Sequence, residues 1–343
     1  MNEAHVIQIS DELKLTYEQI KAVALFLEEG ATIPFIARYR KEATGSLDET
    51  FVTLIRNRLS QLEELDQRKQ AILKSLEQNG HLTDELKEKI LTSETMSLLE
   101  DIYLPYRPKR RTRGMAAREK GLEPLALAIF EQQGINPYEA AKDFLDPEKE
   151  IFEEEHALSG ARDIIAEIIN EDLNARAKLR LLFAEKSIIQ SKVSAGKETE
   201  GIKYKDYFDW QEPVFDVASH RLLAMRRGEK EDILNLTISP PEEMAITILE
   251  DLFVIGNGED SAQVKMAVSD AYKRLLSRSM ETEIRMETKQ KADSEAIRVF
   301  ALNLRELLLA SPLGAKRIMG IDPGFRTGCK VVCMDRQGKL LHH

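Results

Sequence analysis

Up to about residue 315 the apolar residues of this chain recur three and four positions apart, and beyond it they alternate. The first period belongs to helices with one buried face and the second to half-buried strands, so the chain is confined to a mainly α architecture followed by a short β segment. In "LTYEQIKAVALFLEEG", Ile20, Val23, Ala24 and Leu27 share a face and Gly30 stops the helix. Thr32, Ile33 and Pro34 start a second, short helix, because a proline in the first turn has no intrahelical N–H bond to lose. It ends near Gly45, and "SLDE", Ser46 to Glu49, reads as a capping box for a third helix. There Ile55, Leu59, Leu62, Leu65, Ile72 and Leu76 keep one stripe in a helix that extends about 40 Å, at about 1.5 Å per residue. A helix of that length is expected to brace several shorter ones, and the gap in its stripe at Asp66 and Lys69 argues against a coiled-coil seam. Three helices joined by tight turns resemble a helix-turn-helix.

Further on, residues 194–213 exchange the apolar period for Gly, charge and aromatics, and read as a loop between helical lobes. A break at Gly256 to Gly258 separates two more helices. The last has Asp293 or Ser294 as its N-cap, Ile297, Phe300, Leu304 and Leu307 on one side, and Ser311-Pro312 as its stop. After it, "RIMGIDPGFRTGCKVVCMDRQGKLL" reads as a strand, a Gly-rich turn, a second strand, a D-R-Q-G hairpin and the start of a third strand. No stretch approaches the roughly 20 apolar residues of a membrane helix, so a soluble, cytoplasmic chain is expected.

The net charge of -10 argues against binding driven by total charge and directs attention to local basic elements. From Arg107 to Lys120 seven basic residues face one acid, Glu119. Pro105 and Pro108 hold the start of this run in an extended loop, so Arg107, Lys109, Arg110, Arg111 and Arg113 are candidates for phosphate contact, with Tyr103 and Tyr106 as faces for unstacked bases. The competing reading pairs these cations with nearby acids, Glu100, Asp101 and Glu123. Two further basic elements are Arg40 and Lys41 beside Arg38, and Arg226 and Arg227 in "HRLLAMRRGEKEDIL". In the first of these, Ile33, Phe35, Ile36 and Tyr39 are expected to pack the short helix onto its neighbours, which favours a structural role for Arg38 and Tyr39.

Asp322, ending a strand beside a Gly-rich turn, is a weak catalytic candidate: one carboxylate of a two-metal nuclease site, or the flank of a phosphate-cradling turn. Either centre needs groups from further along a chain that stops at His343, and the remaining reading is a hairpin with an Asp cap. Cys329 and Cys333 lie about 13 Å apart in one strand, too far for a disulfide, and without a nearby His they read as packed thiols. No metal site and no cofactor are expected.

The stretches "ATIPFIARYRKEATGSLDE", "LPYRPKRRTRGMAAREKGLEPLA", "LSGARDIIAE", "SHRLLAMRRGEKEDIL" and "GIDPGFRTGCKVVCMDRQGKLL" resemble, in this order, motifs of the Tex family of bacterial transcription accessory proteins. The resemblance covers essentially the whole chain. It implies a Tex-type N-terminal helical region with a helix-turn-helix-like element over residues 1–195, a central helical region over 196–315, and at 316–343 the first strands of a YqgF domain, whose fold is ribonuclease H-like. It further implies an RNA-binding, non-catalytic scaffold that contacts nucleic acid and transcription-machinery proteins, and a relation to a eukaryotic elongation factor that also handles histones. Family members continue through helix-hairpin-helix elements to an S1 domain, their expected main nucleic-acid binder. The chain is therefore expected to be a piece of a longer protein, monomeric, and a weak binder of RNA or DNA backbone. "GIDPG" also resembles the first-strand motif of RuvC-like resolvases, in which the Asp is a metal ligand. A ribonuclease H-like nuclease using Asp322 is thus one alternative function, and a scaffold that binds only proteins is another.

Overall fold

The computed structural model describes residues 2–108, 111–324 and 328–343. Helices α1 (Glu3–Leu13), α2 (Tyr17–Glu28), α3 (Ile33–Tyr39), α4 (Lys41–Thr44), α5 (Glu49–Gln78), α6 (Asp84–Thr92) and α7 (Met96–Tyr103) come first. A 3-10 turn at Leu104–Tyr106 leads to α8 (Arg113–Glu119), α9 (Glu123–Glu131), α10 (Pro137–Lys142), α11 (Glu154–Glu171) and α12 (Leu173–Lys186). Strands β1 (Ile188–Val193) and β2 (Asp209–Pro213), helix α13 (Ser219–Lys230) and strand β3 (Leu234–Ser239) follow. Then come α14 (Glu242–Phe253), α15 (Glu259–Asp270), a π-helical turn at Ala271–Leu276, and α16 (Ser277–Leu309). Strands β4 (Ile318–Gly324), β5 (Gly328–Met334) and β6 (Leu340–His342) end the chain. The chain forms two compact units, one of residues up to 182 with 241–279, the other of 183–240 with 280–343.

In the first unit the stripe of α5 is divided between two cores. Val52, Ile55 and Leu62 pack with Val6, Ile9, Ile20, Val23 and Ile36 of α1, α2 and α3. Leu65, Ile72 and Leu76 pack with Leu86, Ile90, Leu99 and Ile102 of α6 and α7. Each fully buried Ile or Leu contributes about 1.5–3 kcal/mol, so these intramolecular partners account for the stripe without a second chain. The gap between the cores is polar by use: Asp66 accepts from Asn2 at 3.2 Å and pairs with His5, while Lys69 donates to the Leu91 carbonyl at 2.9 Å.

At the start of α5 the observed cap differs from the expected one. Asp48, not Ser46, is the N-cap, its Oδ1 accepting from the Thr50 and Phe51 amides at 2.9 Å. Gly45 and Ser46 both take positive φ in the turn after α4, which removes Ser46 from capping range. In α3 only Ile36 and Ala37 are buried. Tyr39 is 70% exposed and Phe35 38%, so the expected packing of these two rings is corrected. With a single turn on each side of its buried pair, α3 covers only the residues that face α2 and α5.

The rest of this unit is assembled on α11, whose Ala157, Leu158, Ala161, Ile164, Ile165 and Ile169 are inaccessible to solvent. Gly160 admits the α8–α9 corner: a Cβ there would lie 2.4 Å from Leu122 Cδ1. Between α7 and α12 stands a buried charge cluster, in which Asp101 receives Arg176 Nε on Oδ1 at 2.5 Å and Arg180 Nη2 on Oδ2 at 2.9 Å. Asp260 of α15 is 1% exposed and accepts the Gly134 and Ile135 amides, tying the α9–α10 turn to α15.

The second unit corrects the expectation of helix throughout to residue 315. Strands β2, β1 and β3 form an antiparallel sheet in that order, Ile189 facing Ile238 and Ser191 facing Leu236. Leu234, Leu236 and Ile238 point inward and Asn235, Thr237 and Ser239 outward, a clean period of two in a run too short to outweigh the helices around it. The expected loop at 194–213 contains a 3-10 segment, Ile202–Tyr207, and the strand β2. Helix α16 begins at Ser277, so Asp293 and Ser294 lie inside it, Asp293 pairing with Lys289 one turn back. Its Ile297, Phe300, Leu304 and Leu307 are exposed by 42–74%. In the closing β segment β4 and β5 pair antiparallel as read, and Asp335 closes the β5–β6 hairpin by accepting the Gln337 and Lys339 amides, while residues 325–327 of the expected Gly-rich turn lie outside the described residues.

Asp101→Ala would take the carboxylate out of a buried charge cluster in which the Arg176 side chain is 5% exposed, removing the acceptor of Arg176 Nε and Arg180 Nη2. The expected loss is about 3–5 kcal/mol of unfolding free energy, measured by urea denaturation, against little change on removing the exposed Lys89–Glu85 pair.

Candidate nucleic-acid interface

Helix α7 ends at Tyr103, and Pro105 falls in the 3-10 turn that follows. Arg107, restricted by Pro108, is extended at φ -66° and ψ 130°. Thr112 then caps α8 by accepting the Met115 amide at 3.1 Å, which places Arg113 in the first helical turn. Arg107 thus follows the 3-10 turn in an extended conformation, and Arg113 lies in the first turn of α8. Lys109 and Arg110 lie outside the described residues. Arg107 and Arg113 are exposed, and neither forms an ion pair among the described residues. Arg111 donates to Glu119 at 2.6 Å with 71% of its side chain exposed. A surface pair of this kind contributes about 0–1 kcal/mol, so a phosphate can replace Glu119 as its acceptor.

Apart from Glu119, the nearby acids are engaged by other residues than Arg107, Arg111 and Arg113. Glu100 takes Arg68 of α5 in a two-point contact, at 2.5 and 3.1 Å. Asp101 takes Arg176 and Arg180, and Glu123 takes Arg118 at 3.2 Å. Arg118 also donates to Glu167 at 2.7 Å, and Lys120 pairs with Glu150 at 3.3 Å. Burial works against the Arg118 charge, but the bonds and charges of Glu167 and Glu123 outweigh it and hold the guanidinium above its ordinary range. The seven-residue basic run therefore divides: Arg118 and Lys120 hold the fold, whereas Arg107, Arg111 and Arg113 face solvent. Burial also pushes the Asp163 carboxyl upward, with Arg274 and Arg113 drawing it back.

The two tyrosines separate as well. Tyr103 is 6% exposed, bonded through its hydroxyl to Ser75 at 2.9 Å and covered by Arg68, so its face is not available to a base. Tyr106 is exposed and stands 5.9 Å from the ring of His81. His81 carried no signal in the sequence, because only the return of the chain through α6 and α7 brings Tyr106 back to it. Together they line a cleft of about 600 Å³ with Asn79, Arg107, Met115 and Arg118.

Elsewhere, Arg38 is bound to Glu49 at 2.9 Å, and Arg40 lies over the rings of Phe35 and Phe26 at 4.9 and 5.6 Å. Lys41 is exposed without an ion pair among the described residues. Arg226 and Arg227 belong to the second unit, on the last turns of α13, Arg226 pairing with Glu229 at 3.2 Å and Arg227 exposed. Asp322 has a 76% exposed side chain and faces Lys330 across the β4–β5 pair, at 3.9 Å. Among the described residues no three His, Cys, Asp or Glu side chains gather as metal ligands. Cys329 is exposed and Cys333 half-buried, which corrects the reading of both as packed thiols. No described helix is long and apolar enough to cross a membrane.

Three family models match the chain in sequence order: the Tex-like protein N-terminal domain over residues 3–77, the Tex central region-like model over 132–300, and the Tex protein YqgF-like domain over 316–343. The chain belongs to the Tex family. It is 42% identical to "Protein YhgF" of Escherichia coli over 99% of this chain and 45% of that protein. It is 42% identical to "Transcriptional accessory protein Tex" of Neisseria gonorrhoeae over 97% of this chain and 44% of that one. A more distant relative, "S1 RNA-binding domain-containing protein 1" of Homo sapiens, is 27% identical over 93% of this chain and 33% of its own length. The chain thus spans less than half the length of these curated relatives. Within this Tex chain, Arg40 and Lys41 fall in the N-terminal match, Arg226 and Arg227 in the central match and Asp322 in the YqgF-like match, while Arg107 to Arg113 lie between matches.

Gly114 is the packing requirement of the interface, since a Cβ there would lie 2.4 Å from Cδ of the buried Glu167 carboxylate that holds Arg118. Gly114→Ala is expected to lower the unfolding free energy by about 1–3 kcal/mol by urea denaturation. Unchanged stability would show that Glu167 can move aside.

Proposed function

We propose that this chain is a non-catalytic, RNA-binding part of a transcription accessory protein, holding nucleic acid through Arg107, Arg111 and Arg113, with Lys109 and Arg110 in the same run. The observation that carries this reading is the pairing of the neighbouring acids: Glu100, Asp101 and Glu123 are bound to Arg68, Arg176, Arg180 and Arg118, so the run keeps its positive charge inside a chain of net charge -10. Arginine forks on an extended segment suit successive backbone phosphates. The relatives' printed names, a transcriptional accessory protein and an S1 RNA-binding domain-containing protein, point the same way. Arg40, Lys41, Arg226 and Arg227 are secondary contacts in this reading, the partners are RNA or DNA backbone and transcription-machinery proteins, and the chain acts as a cytoplasmic monomer. Asp322, exposed and opposite a lysine, has no catalytic part in it.

Fluorescence anisotropy of the chain against labelled single-stranded RNA, single-stranded DNA and duplex DNA, at low and near-physiological salt, tests the reading. Binding is expected to weaken with salt, the slope falling by about one for each phosphate contact removed. Changing Arg107, Arg111 and Arg113 to Glu should abolish it with the fold intact by circular dichroism. An intact chain that binds none of the three at low salt would move the function to protein partners alone.

A further inference from the structure

We propose that the cleft beside Tyr106 receives one unstacked nucleobase of a single-stranded nucleic acid whose phosphates meet Arg107, Arg111 and Arg113, an inference that rests on the nucleic-acid reading above. The lining is ordered as a nucleotide is. At the rim, Arg107 is exposed and unpaired among the described residues. On the wall, the Tyr106 and His81 rings stand 5.9 Å apart at 46°, both open to solvent, with Pro105 and Pro108 fixing the backbone that carries Tyr106. Met115, 39% exposed, lines the same cleft and is a soft, adaptable surface for a flat ring. Deeper in, Arg118 and Glu167 are locked together at 2.7 Å, and the Glu167 side chain is only 9% exposed. A polar edge arriving there meets a fixed donor beside a fixed acceptor, without the cost of ordering them.

The volume, about 600 Å³, lies within the range of about 300–1,000 Å³ that small-molecule sites occupy. A base in a duplex has both faces covered by its neighbours, so only a single strand or a splayed loop can present one to Tyr106. An acidic peptide would satisfy Arg107 but has no flat ring for the wall, and its carboxylates would meet Glu167.

The test compares a short labelled single-stranded RNA with a strand of the same phosphate count that is abasic throughout, on the intact chain, Tyr106→Ala, Tyr106→Phe and the Arg-to-Glu triple variant. The intact chain is expected to bind the RNA about ten-fold more tightly than the abasic strand, the scale of one base stacked on an aromatic ring. Tyr106→Ala should erase that difference, leave abasic binding and its salt slope unchanged, and melt at the wild-type temperature. Tyr106→Phe should restore it, and the triple variant should lose both ligands. Equal affinity for RNA and abasic strand, or a Tyr106→Ala variant that still prefers RNA, would overturn the base pocket while the phosphate contacts stand. Displacement of the RNA by an acidic peptide, or by a free mononucleotide at concentrations near the strand's own Kd, would also overturn it and reassign the cleft. Failure of both strands to bind would overturn the pocket and the reading beneath it together.

Discussion

The buried carboxylate of Asp101, held from two sides by Arg176 and Arg180, is the constraint on which the interface depends. A charge removed from water is tolerable only when its partners are close and its oxygens are occupied, and here both oxygens are bonded and the donors come from one helix face of α12. The pair fixes the last turn of α7, from which Pro105 and Pro108 launch the basic segment. It also removes Asp101 from that segment's own electrostatics. One interaction therefore positions the arginines and keeps a nearby counter-ion away from them. The Arg68–Glu100 contact does the same on the adjoining residue, while the Arg68 guanidinium covers Tyr103.

Much of the scaffold was legible because long helices repeat their signal. The stripe from Ile55 to Leu76, the Pro-started α3 and the alternation around Lys330 and Val331 each depend on local spacing, and each appears where the spacing puts it. The sheet of β1, β2 and β3 was not legible as such. Each of its strands has five or six residues, and their pairing joins Ile189 to Ile238, partners whose relation no local window contains. Ser46 failed as a cap for a similar reason: the turn after α4 needed two positive-φ residues, and Asp48 was the next side chain able to reach the free amides.

The candidate site shows the same division more sharply. That a basic loop exists beside tyrosines is a fact of sequence, but which charges are available is a fact of packing. Arg107 and Arg118 look alike in the string, and only the arrival of Glu167 from α11 makes one of them structural. Tyr103 and Tyr106 likewise differ by what packs against them, Ser75 and Arg68 against one and His81 against the other. Sequence can nominate such residues but cannot apportion their partners.

Net charge acquires a role in this light. A surface that is negative overall repels nucleic acid at a distance, so in the proposed reading contact is confined to places where arginines outnumber the acids able to reach them. Several arginines of the described residues are not in such places: Arg58 is bound to Glu12, Arg221 to Glu212, Arg274 to Asp163 and Asp270, and Arg285 to Glu229 and Glu281. The fold thus uses these arginines as internal fastening. Arg107, left in solvent on a proline-stiffened segment, differs from them in standing beside an open aromatic ring, and in the proposed reading that position gives it a direction: outward, toward a ligand that carries phosphate and a flat face together.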